Sequence, residues 1–327
     1  MSAVEVTQLV KHYGAVRAVD GVSFSIEPGE VYALLGENGA GKSTTVEILE
    51  GYRQPTSGAA RVLGVDPDEG GRSWRERVGI VLQTSGIEQE FSVREVFDLY
   101  GSVYSNPRPA DEVIEMVGLT EKADERVGSL SGGQQRRVDL GLGIVGRPEV
   151  LFLDEPTTGF DPSARRRSWD LVEQLGAGGT TVLLTTHYLD EAEHLADRVG
   201  VLSRGVLVAE GTPGTLIEQV SGTVVSFDVP HQVELADARA TFAPLLGADL
   251  DVAGRLVEAR VDEPTAAVHR LTAWAVERSI ELDSLSVRRA SLEDAFLRLV
   301  HDADSAGDRG DIDSAADAGE AETESSS

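Results

Sequence analysis

The 327-residue chain is long enough for two or three domains, is 41% hydrophobic, and carries 56 acidic against 29 basic side chains, a formal net charge of −27. This charge disfavours general nucleic-acid binding, and the absence of cysteine excludes disulfides, a thiol nucleophile and cysteine-ligated metals. No apolar run approaches the roughly 18 residues that span a bilayer, and the start does not resemble a signal peptide, so we expect a cytoplasmic chain.

The chain begins with an antiparallel strand pattern. Polar and apolar residues alternate over positions 4–26, around turns predicted at Tyr13-Gly14 and Asp20-Gly21. A tight turn then leads into the apolar run 31–35, which is typical of a buried strand. We therefore expect an antiparallel β subdomain that passes directly into a core strand.

A glycine-rich loop follows this strand and fits the spacing G-x-x-x-x-G-K-[ST]. Its glycines let the backbone curl around phosphates, and the helix predicted after it presents a positive N-terminal end. Lys42 is expected to reach the β- and γ-phosphates, and the Ser43 hydroxyl to coordinate Mg²⁺. The predicted nucleotide-binding residues are Gly36, Glu37, Asn38, Gly39, Ala40, Gly41, Lys42, Ser43 and Thr44.

Beyond the loop helix, strand patterns alternate with helical ones. Capping-box spacing at Ser73 and Ser92 predicts two helix starts. From Gln83 to about Val145 the pattern is helical, with a break at 106–109. The strand patterns lie at 59–63, 78–82, 150–153, 181–184, 199–202 and 206–208. This alternation predicts an α/β core with a parallel sheet and a helical insertion.

Two carboxylates, Asp154 and Glu155, end the apolar strand at 150–153. A buried strand tip is expected to place Asp154 near the Mg²⁺ held by Ser43, and Glu155 where it polarises an attacking water. The alternative is an acidic cap between strand and loop, which the phosphate loop upstream disfavours.

After about residue 220 the sequence pattern changes, which indicates a separate domain. Strand patterns at 223–227, 255–261 and 284–287 are interleaved with helical ones, and Ser291 caps a last amphipathic helix that runs to about Val300. We predict a core domain over 1–220 and a small β/α domain over 221–300.

The last segment, 301–327, consists mostly of acidic residues, serine, alanine and glycine. With almost no apolar content it cannot offset the entropy of folding, which predicts a disordered tail. Two explanations of the overall acidity stay open, namely a salt-rich cytoplasm and the codon usage of a GC-rich genome.

A second diagnostic segment, residues 130–134, has the sequence LSGGQ. Its Ser131 is an N-cap candidate, and the glycine pair after it permits close approach of a polyanion. With the phosphate loop and the carboxylates of 154–155, this segment makes residues 3–220, roughly, resemble the ATP-binding cassette (ABC) ATPases, because LSGGQ distinguishes that family. The segments 138–148 and 157–162 and the C-terminal domain look like those of the daunorubicin/doxorubicin-type drug exporters.

The resemblance implies roles for further residues. Tyr13 would stack on adenine, Gln83 would touch the metal and the attacking water, and His187 would contact the γ-phosphate. Phe160 departs from the leucine more usual in the family, a conservative change. The implied catalytic residues are Glu155, His187 and Gln83, and the implied metal ligands are Ser43, Gln83 and Asp154. The residues implied to contact the ATP that the opposite protomer binds are Ser131, Gly132, Gly133, Gln134 and Asp161.

The resemblance also implies ATP and Mg²⁺ as cofactors, a head-to-tail homodimer of the cassette, and a separate ABC-type membrane permease subunit that docks on the helical segment after Gln83. The chain would then lie on the inner face of the cell membrane and drive export of a drug-like or lipid-like substrate. A soluble ABC ATPase acting on nucleic acid or ribosomes is the alternative, although the chain has no zinc module, long coiled coil or second cassette. A regulatory protein with little turnover is disfavoured by Glu155 and His187.

Overall fold

The computed structural model describes residues 1–81, 86, 88–219, 222–303 and 305. It divides into two units, Met1–Pro213 with the chain from Leu299, and Gly214–Arg298. Gln83, the predicted metal and water contact, lies outside the described residues, as do 304 and 306–327 of the predicted tail. The domain limits predicted after 220 and 300 stay predictions.

The first unit contains nine strands and seven complete helices among its described residues. Its strands are β1 (Val4–Tyr13), β2 (Val16–Ile26), β3 (Val31–Gly36), β4 (Ser57–Val62), β5 (Val78–Val81), β6 (Val150–Asp154), β7 (Thr181–Thr186), β8 (Arg198–Ser203) and β9 (Val206–Gly211). Its helices are α1 (Lys42–Leu49), α2 (Arg72–Arg75), α3 (Val93–Gly101), α4 (Ala110–Met116), α5 (Gly132–Ile144), α6 (Pro162–Ala177) and α7 (Leu189–Leu195). Helix α8 (Pro213–Gln219) follows, and short 3₁₀ turns lie at Pro67–Glu69, Thr120–Lys122 and Val127–Ser129.

A six-stranded sheet in the order β5-β6-β7-β3-β8-β9 forms the core of this unit. All neighbouring pairs are parallel except β8 and β9. Strands β3 and β7 are buried along their whole length, as expected for parallel strands covered on both faces. Leu35 pairs with Thr186 and Asp154 with Thr185, so the carboxyl ends of β3, β6 and β7 meet at one edge.

An antiparallel sheet in the order β2-β1-β4 forms the predicted β subdomain. The turn predicted at Asp20-Gly21 was wrong, because β2 continues through both residues. Gly21, with φ +73°, is instead a bulge residue between the pairs Leu9–Val22 and Val10–Asp20. A glycine in the left-handed region allows a bulge as readily as a turn, so local sequence does not separate the two.

The helical insertion is built from α3, α4 and α5 between β5 and β6. The capping box predicted at Ser92 is confirmed, since its Oγ accepts from Glu95 N and the Glu95 side chain accepts from Ser92 N. The box predicted at Ser73 was wrong, because α2 begins at Arg72, with Gly71 rather than Ser73 as its N-cap. Together the two sheets and this insertion confirm the predicted α/β phosphate-loop core.

Among its described residues, the second unit contains four antiparallel strands, two complete helices and most of α8, and α11 (292–303) begins in it. The strands are β10 (Thr223–Asp228), β11 (Leu250–Ala253), β12 (Leu256–Val261) and β13 (Ser286–Arg289), in the order β11-β12-β10-β13. Helices α9 (Ala238–Leu246) and α10 (Pro264–Glu277) pack on one face, where Phe242 lies edge-on to Phe227 and Trp274. The predicted β/α fold is confirmed here, although β11 was not predicted and α11 extends through 303.

Candidate nucleotide-binding site

The phosphate loop joins β3 to α1, and close contacts require two of its glycines, Gly36 and Gly41. Gly41 has φ +104°, and a Cβ there would lie 2.3 Å from the carbonyl oxygen of Ala18. A Cβ on Gly36 would lie 2.6 Å from the carbonyl oxygen of Leu202. Gly41 is also the N-cap of α1 and supplies no side-chain cap. The first N–H groups of this helix therefore suit an anion.

Lys42 is the first residue of α1, and its ammonium is held inside the loop. Its Nζ donates to the carbonyl oxygens of Gly36 at 2.6 Å and Glu37 at 3.0 Å, and the residue is only 6% exposed. Burial lowers the pKa of Lys42, while the carboxylates of Glu155 and Asp154 act in the opposite direction. Lys42 and both strand-end carboxylates therefore share one electrostatic environment.

The turn between β8 and β9 supports the phosphate loop from outside. Gly205 N donates to the carbonyl oxygen of Ala40 at 2.9 Å, and the Gly205 carbonyl accepts from Asp20 N at 2.8 Å. Local patterns did not predict this support, because it joins positions far apart in the chain. The other predicted loop residues, Glu37, Asn38, Gly39 and Ser43, are exposed, and Thr44 is half-buried in the first turn of α1.

Two of the predicted catalytic residues come together at the ends of β6 and β7. Glu155 Oε1 lies 3.3 Å from His187 Nδ1, and the Thr158 hydroxyl donates to Glu155 Oε2 at 3.2 Å. The Thr185 hydroxyl donates to Asp154 Oδ1 at 2.5 Å, and its backbone carbonyl accepts from Glu155 N at 3.1 Å. Thr185 on the neighbouring strand therefore fixes the Asp154 carboxylate and the Glu155 backbone, and Thr158 fixes the Glu155 carboxylate.

Arg136 connects the helical insertion to this strand end. From α5 its guanidinium donates to the carbonyl oxygens of Asp154 at 2.9 Å, Glu155 at 3.2 Å and Pro156 at 3.4 Å. Burial lowers the pKa of Arg136, and the neighbouring carboxylates of Asp139, Asp154 and Glu155 oppose the shift. Sequence reasoning missed this residue. The only signal was a charged residue one helical turn after a predicted N-cap.

The predicted signature segment forms the start of α5. The Ser131 hydroxyl accepts from Gln134 N at 3.3 Å, and the Gln134 side chain accepts from Ser131 N at 2.9 Å, so the predicted N-cap is confirmed. Gly132 is exposed, with no atom within 4 Å of where a Cβ would lie, and a Cβ on Gly133 would lie 3.8 Å from the Phe160 ring. Among the described residues, no hydrogen bond joins this segment to the phosphate loop of the same chain.

Asp161 and Tyr13 also lie at exposed positions. Asp161 is the N-cap of α6 and accepts from Ser163 N at 2.9 Å and Ala164 N at 2.8 Å; these backbone bonds lower its pKa. Tyr13 ends β1 and is 41% exposed, with Lys11 Nζ 5.4 Å and Arg53 Cζ 5.5 Å from its ring centre. An accessible ring flanked by two cations suits stacking on an aromatic anion.

Comparison with known proteins identifies the family. The ABC transporter family matches residues 19–158, and a C-terminal domain family of ABC transporter domain-containing proteins matches 223–291. The daunorubicin/doxorubicin resistance ATP-binding protein DrrA of Streptomyces peucetius is 37% identical over 92% of this chain and 94% of its own. The chain belongs to the ABC transporter ATP-binding family. This ABC protein is accordingly an ATP-binding subunit and an ATPase.

Two further comparisons extend this result. The Nod factor export ATP-binding protein I of Burkholderia pseudomallei (strain 1710b) is 39% identical to this ABC ATPase over 91% of this chain and 97% of its own. The solved structure of cbiO1 from Clostridium perfringens, part of an ABC transporter complex, aligns with a TM-score of 0.59 and 30% identity, covering 67% of this chain and 94% of cbiO1. Within the described part of this ABC ATPase, no helix is both long and apolar enough to cross a membrane.

Proposed function

We propose that this ABC ATPase binds ATP and Mg²⁺ between two copies of the chain and drives export through a separate membrane subunit. The observation that carries the proposal is the convergence of Lys42, Asp154, Glu155 and His187 at one edge of the parallel sheet. Ligands of open α/β sheets bind outside the carboxyl ends of the strands, where these side chains lie.

ATP would lie along the start of α1. The glycine backbone and the ammonium of Lys42 would hold its phosphates, with Tyr13 against the adenine. Mg²⁺ fits the donors present, since the Ser43 hydroxyl and the Asp154 carboxylate are the oxygen ligands it prefers, with Gln83 as the third proposed ligand. When bound there it would neutralise charge on the phosphate oxygens.

Hydrolysis would depend on the pair at the ends of β6 and β7. Glu155 would orient and polarise the attacking water, and His187, 3.3 Å away, would contact the γ-phosphate. Thr158 and Thr185 limit the freedom of the two strand-end carboxylates. The chain's own contribution is therefore the positioning of charge around a transferring phosphoryl group.

A second copy would complete each site. The start of α5 is exposed, its glycines leave room for a close partner, and its described hydrogen bonds are local. Such a helix start favours a phosphate, yet the phosphate loop of the same chain is not bonded to it. A head-to-tail homodimer would bring Ser131, Gly132, Gly133 and Gln134 of one chain against ATP on the other, with Asp161 beside them.

A groove between the core sheet and the helical insertion supports a membrane-subunit partner. Its volume is about 440 Å³, and its lining includes Tyr52, Trp74 and Tyr104 from the two sides. Tyr52 is 63% exposed, whereas Glu50 at the C-terminal end of α1 is 6% exposed, with no partner for its Oε1 among the described residues. An aromatic rim over a buried acid suits a permease segment carrying a basic side chain.

The exported substrate is proposed from the relatives. The two curated relatives are named for daunorubicin/doxorubicin resistance and for Nod factor export, and each aligns with more than nine-tenths of this chain. We assign this protein to the export of an amphipathic molecule, either drug-like or lipid-like. Its place would then be the inner face of the cell membrane, bound to the permease.

Purification from detergent-solubilised native membranes tests the proposal. We expect a protein with several membrane-spanning helices to co-purify with the tagged wild-type chain, and the Tyr52→Asp variant to lose it. Arg61→Asp introduces the same side chain at an exposed position of β4, and should keep the partner. Co-purification of ribosomes or a DNA complex would instead support the soluble, non-transport alternative.

A further inference from the structure

Glu191 is a completely buried acid four residues after His187 on α7, with 0% of its surface exposed. Its Oε1 accepts from Trp169 Nε1 on α6 at 3.1 Å. Its Oε2 is buried and completes no hydrogen bond of standard geometry among the described residues, although the hydroxyls of Thr157 and Thr186 lie beside the carboxylate.

These three neighbours belong to the three segments that carry the proposed site. Thr157 lies in the loop between Glu155 and Asp161, and Thr186 immediately precedes His187. Trp169 lies on α6, the helix that Asp161 caps. One carboxylate therefore lies beside the loop after β6, the end of β7 and α6, the helix between those two strands.

Burial of an acid at this position is costly, and a packing role does not require one. Burial raises the pKa of Glu191, while Thr186, Thr157 and Trp169 favour its charged form. An apolar side chain of similar volume would fill the same space without losing hydration. A carboxylate, unlike an apolar side chain, accepts the Trp169 bond on one oxygen and presents its second oxygen to the threonine hydroxyls.

A second contact set holds the same helix start. Arg165 on α6 lies over the Tyr188 ring, 4.1 Å from its centre, and pairs with Asp190 at 3.5 Å. The Tyr188 ring is in turn 4.1 Å from the His187 ring. Helix α6 thus reaches the His187 ring through Tyr188, and it reaches helix α7 through Glu191.

We propose that Glu191 is a positioning residue for ATP hydrolysis. Its hydrogen bond to Trp169 fastens the start of α7 to α6, with its second oxygen beside Thr157 and Thr186. This contact keeps Glu155 and His187 at their 3.3 Å separation. The inference rests on the roles proposed above for these two residues. Misplacing a catalytic group by about 1 Å can lower a rate by about 10²-fold, so loss of this anchor should act on turnover rather than on ATP binding.

The test compares Glu191→Leu with Glu191→Gln in the full chain. Leucine keeps the volume but accepts no hydrogen bond, and we expect kcat to fall by about 10- to 100-fold with the KM for ATP within about twofold. Glutamine retains an acceptor oxygen, and should restore most of the loss. Glu173→Gln changes an exposed acid of α6 that pairs with His194, and should behave as wild type.

If Glu191 has a purely structural role, Glu191→Leu should lower the melting temperature and the folded fraction, but leave kcat per ATP-binding chain within twofold of wild type. That result would overturn the proposal. If Glu191→Leu does not fold, Trp169→Phe provides the test, because it removes only the indole N–H that donates to Glu191. A wild-type kcat for Trp169→Phe would also overturn the proposal. Glu155→Gln is measured in parallel. A wild-type rate for that variant would reject the proposed role of Glu155, independently of the Glu191 result.

Discussion

Glu155 Oε1 and His187 Nδ1 lie 3.3 Å apart although the two residues directly follow different strands, β6 and β7. The parallel register of β6 and β7, which sets Asp154 opposite Thr185, produces this proximity. Glu155 also has φ +46°, a left-handed conformation that costs a non-glycine residue about 1–2 kcal/mol. Strain of this kind is concentrated at functional sites, where the surrounding structure holds it in place.

Glu155→Gln should bind ATP but hydrolyse it about 10²–10⁴-fold more slowly, because the amide cannot polarise the water as a carboxylate does. Contacts from Lys42 would remain, so binding should survive. With the γ-phosphate uncleaved, the two copies should stay together. Gel filtration with Mg-ATP should show a dimer for this variant, and mostly monomer for the wild type after turnover.

The control for this dimer is Ser131→Arg on the Glu155→Gln background. A long cation at the exposed start of α5 should block the partner's approach without disturbing the nucleotide site of its own chain. The double variant is expected to elute as a monomer that still binds ATP. A Glu155→Gln protein that remains monomeric with Mg-ATP would contradict the homodimeric site.

Gly41→Ala should abolish ATP binding, whereas Gly39→Ala should weaken it less. Both glycines have positive φ, but an added Cβ at Gly41 meets the Ala18 carbonyl at 2.3 Å and one at Gly39 meets nothing within 4 Å. Comparing the two variants therefore separates backbone strain, which both substitutions introduce, from the steric clash, which occurs only at Gly41. Fluorescent-nucleotide titration measures the affinities, and equal losses would contradict the steric explanation.

Glu50→Gln should stabilise the protein more at pH 8 than at pH 5. Burial, followed by the charges of Asp154 and Glu47, raises the pKa of Glu50 from 4.5 to about 8. The folded state therefore holds a proton that the unfolded state releases above pH 4.5, and the free energy of unfolding falls as pH rises through this window. The loss amounts to about 3 kcal/mol by pH 7.

Thermal unfolding of both proteins at the two pH values measures this difference. The exposed Glu69→Gln is the matched control, and its melting-temperature difference from wild type should not change with pH. A Glu50→Gln difference of the same size at pH 5 and pH 8 would show that the buried carboxyl does not titrate as stated.

Arg288→Gln should destabilise the second unit at neutral pH and remove part of its sensitivity to acid. Burial alone would raise the pKa of Asp294, but hydrogen bonds from Arg288 and Ser291 outweigh it and lower the value from 3.8 to about 2. This stabilisation, about 1–2 kcal/mol, is complete above pH 4 and is lost as pH falls toward 2.

Circular dichroism between pH 2 and pH 7 checks the prediction on the full chain. The neighbouring Arg289→Gln is the control, because it removes the same charge from an exposed position of β13. Identical acid transitions for the two variants would mean that the Arg288–Asp294 pair contributes nothing measurable.

The sequence predicted the elements whose information is local. The phosphate loop, the N-caps at Ser92 and Ser131 and the buried strands each follow from a short run of residues, and the structure contains all of them. The turn expected at Asp20-Gly21 failed because a glycine with positive φ suits a bulge equally well. Strand β11 was missed because only one of its four residues is buried, so its sequence contains no apolar run.

Contacts between distant positions were not predictable in this way. Nothing in the residues around Arg136 indicates that its guanidinium will bind three carbonyls after β6. Likewise, Glu191 has the ordinary spacing of a surface acid in the first turn of a helix. Its burial depends on Trp169, which is 22 residues earlier. Only the assembled sheet brings such pairs together.

The bond between Gly205 and Ala40 also has a consequence for synthesis. During translation the phosphate loop leaves the ribosome long before the turn that braces it from outside. The nascent chain therefore cannot complete its nucleotide cradle until the β8–β9 hairpin has emerged and docked. ATP binding should consequently begin only after the whole cassette has been synthesised. A nascent chain truncated before the β8–β9 hairpin should not bind nucleotide.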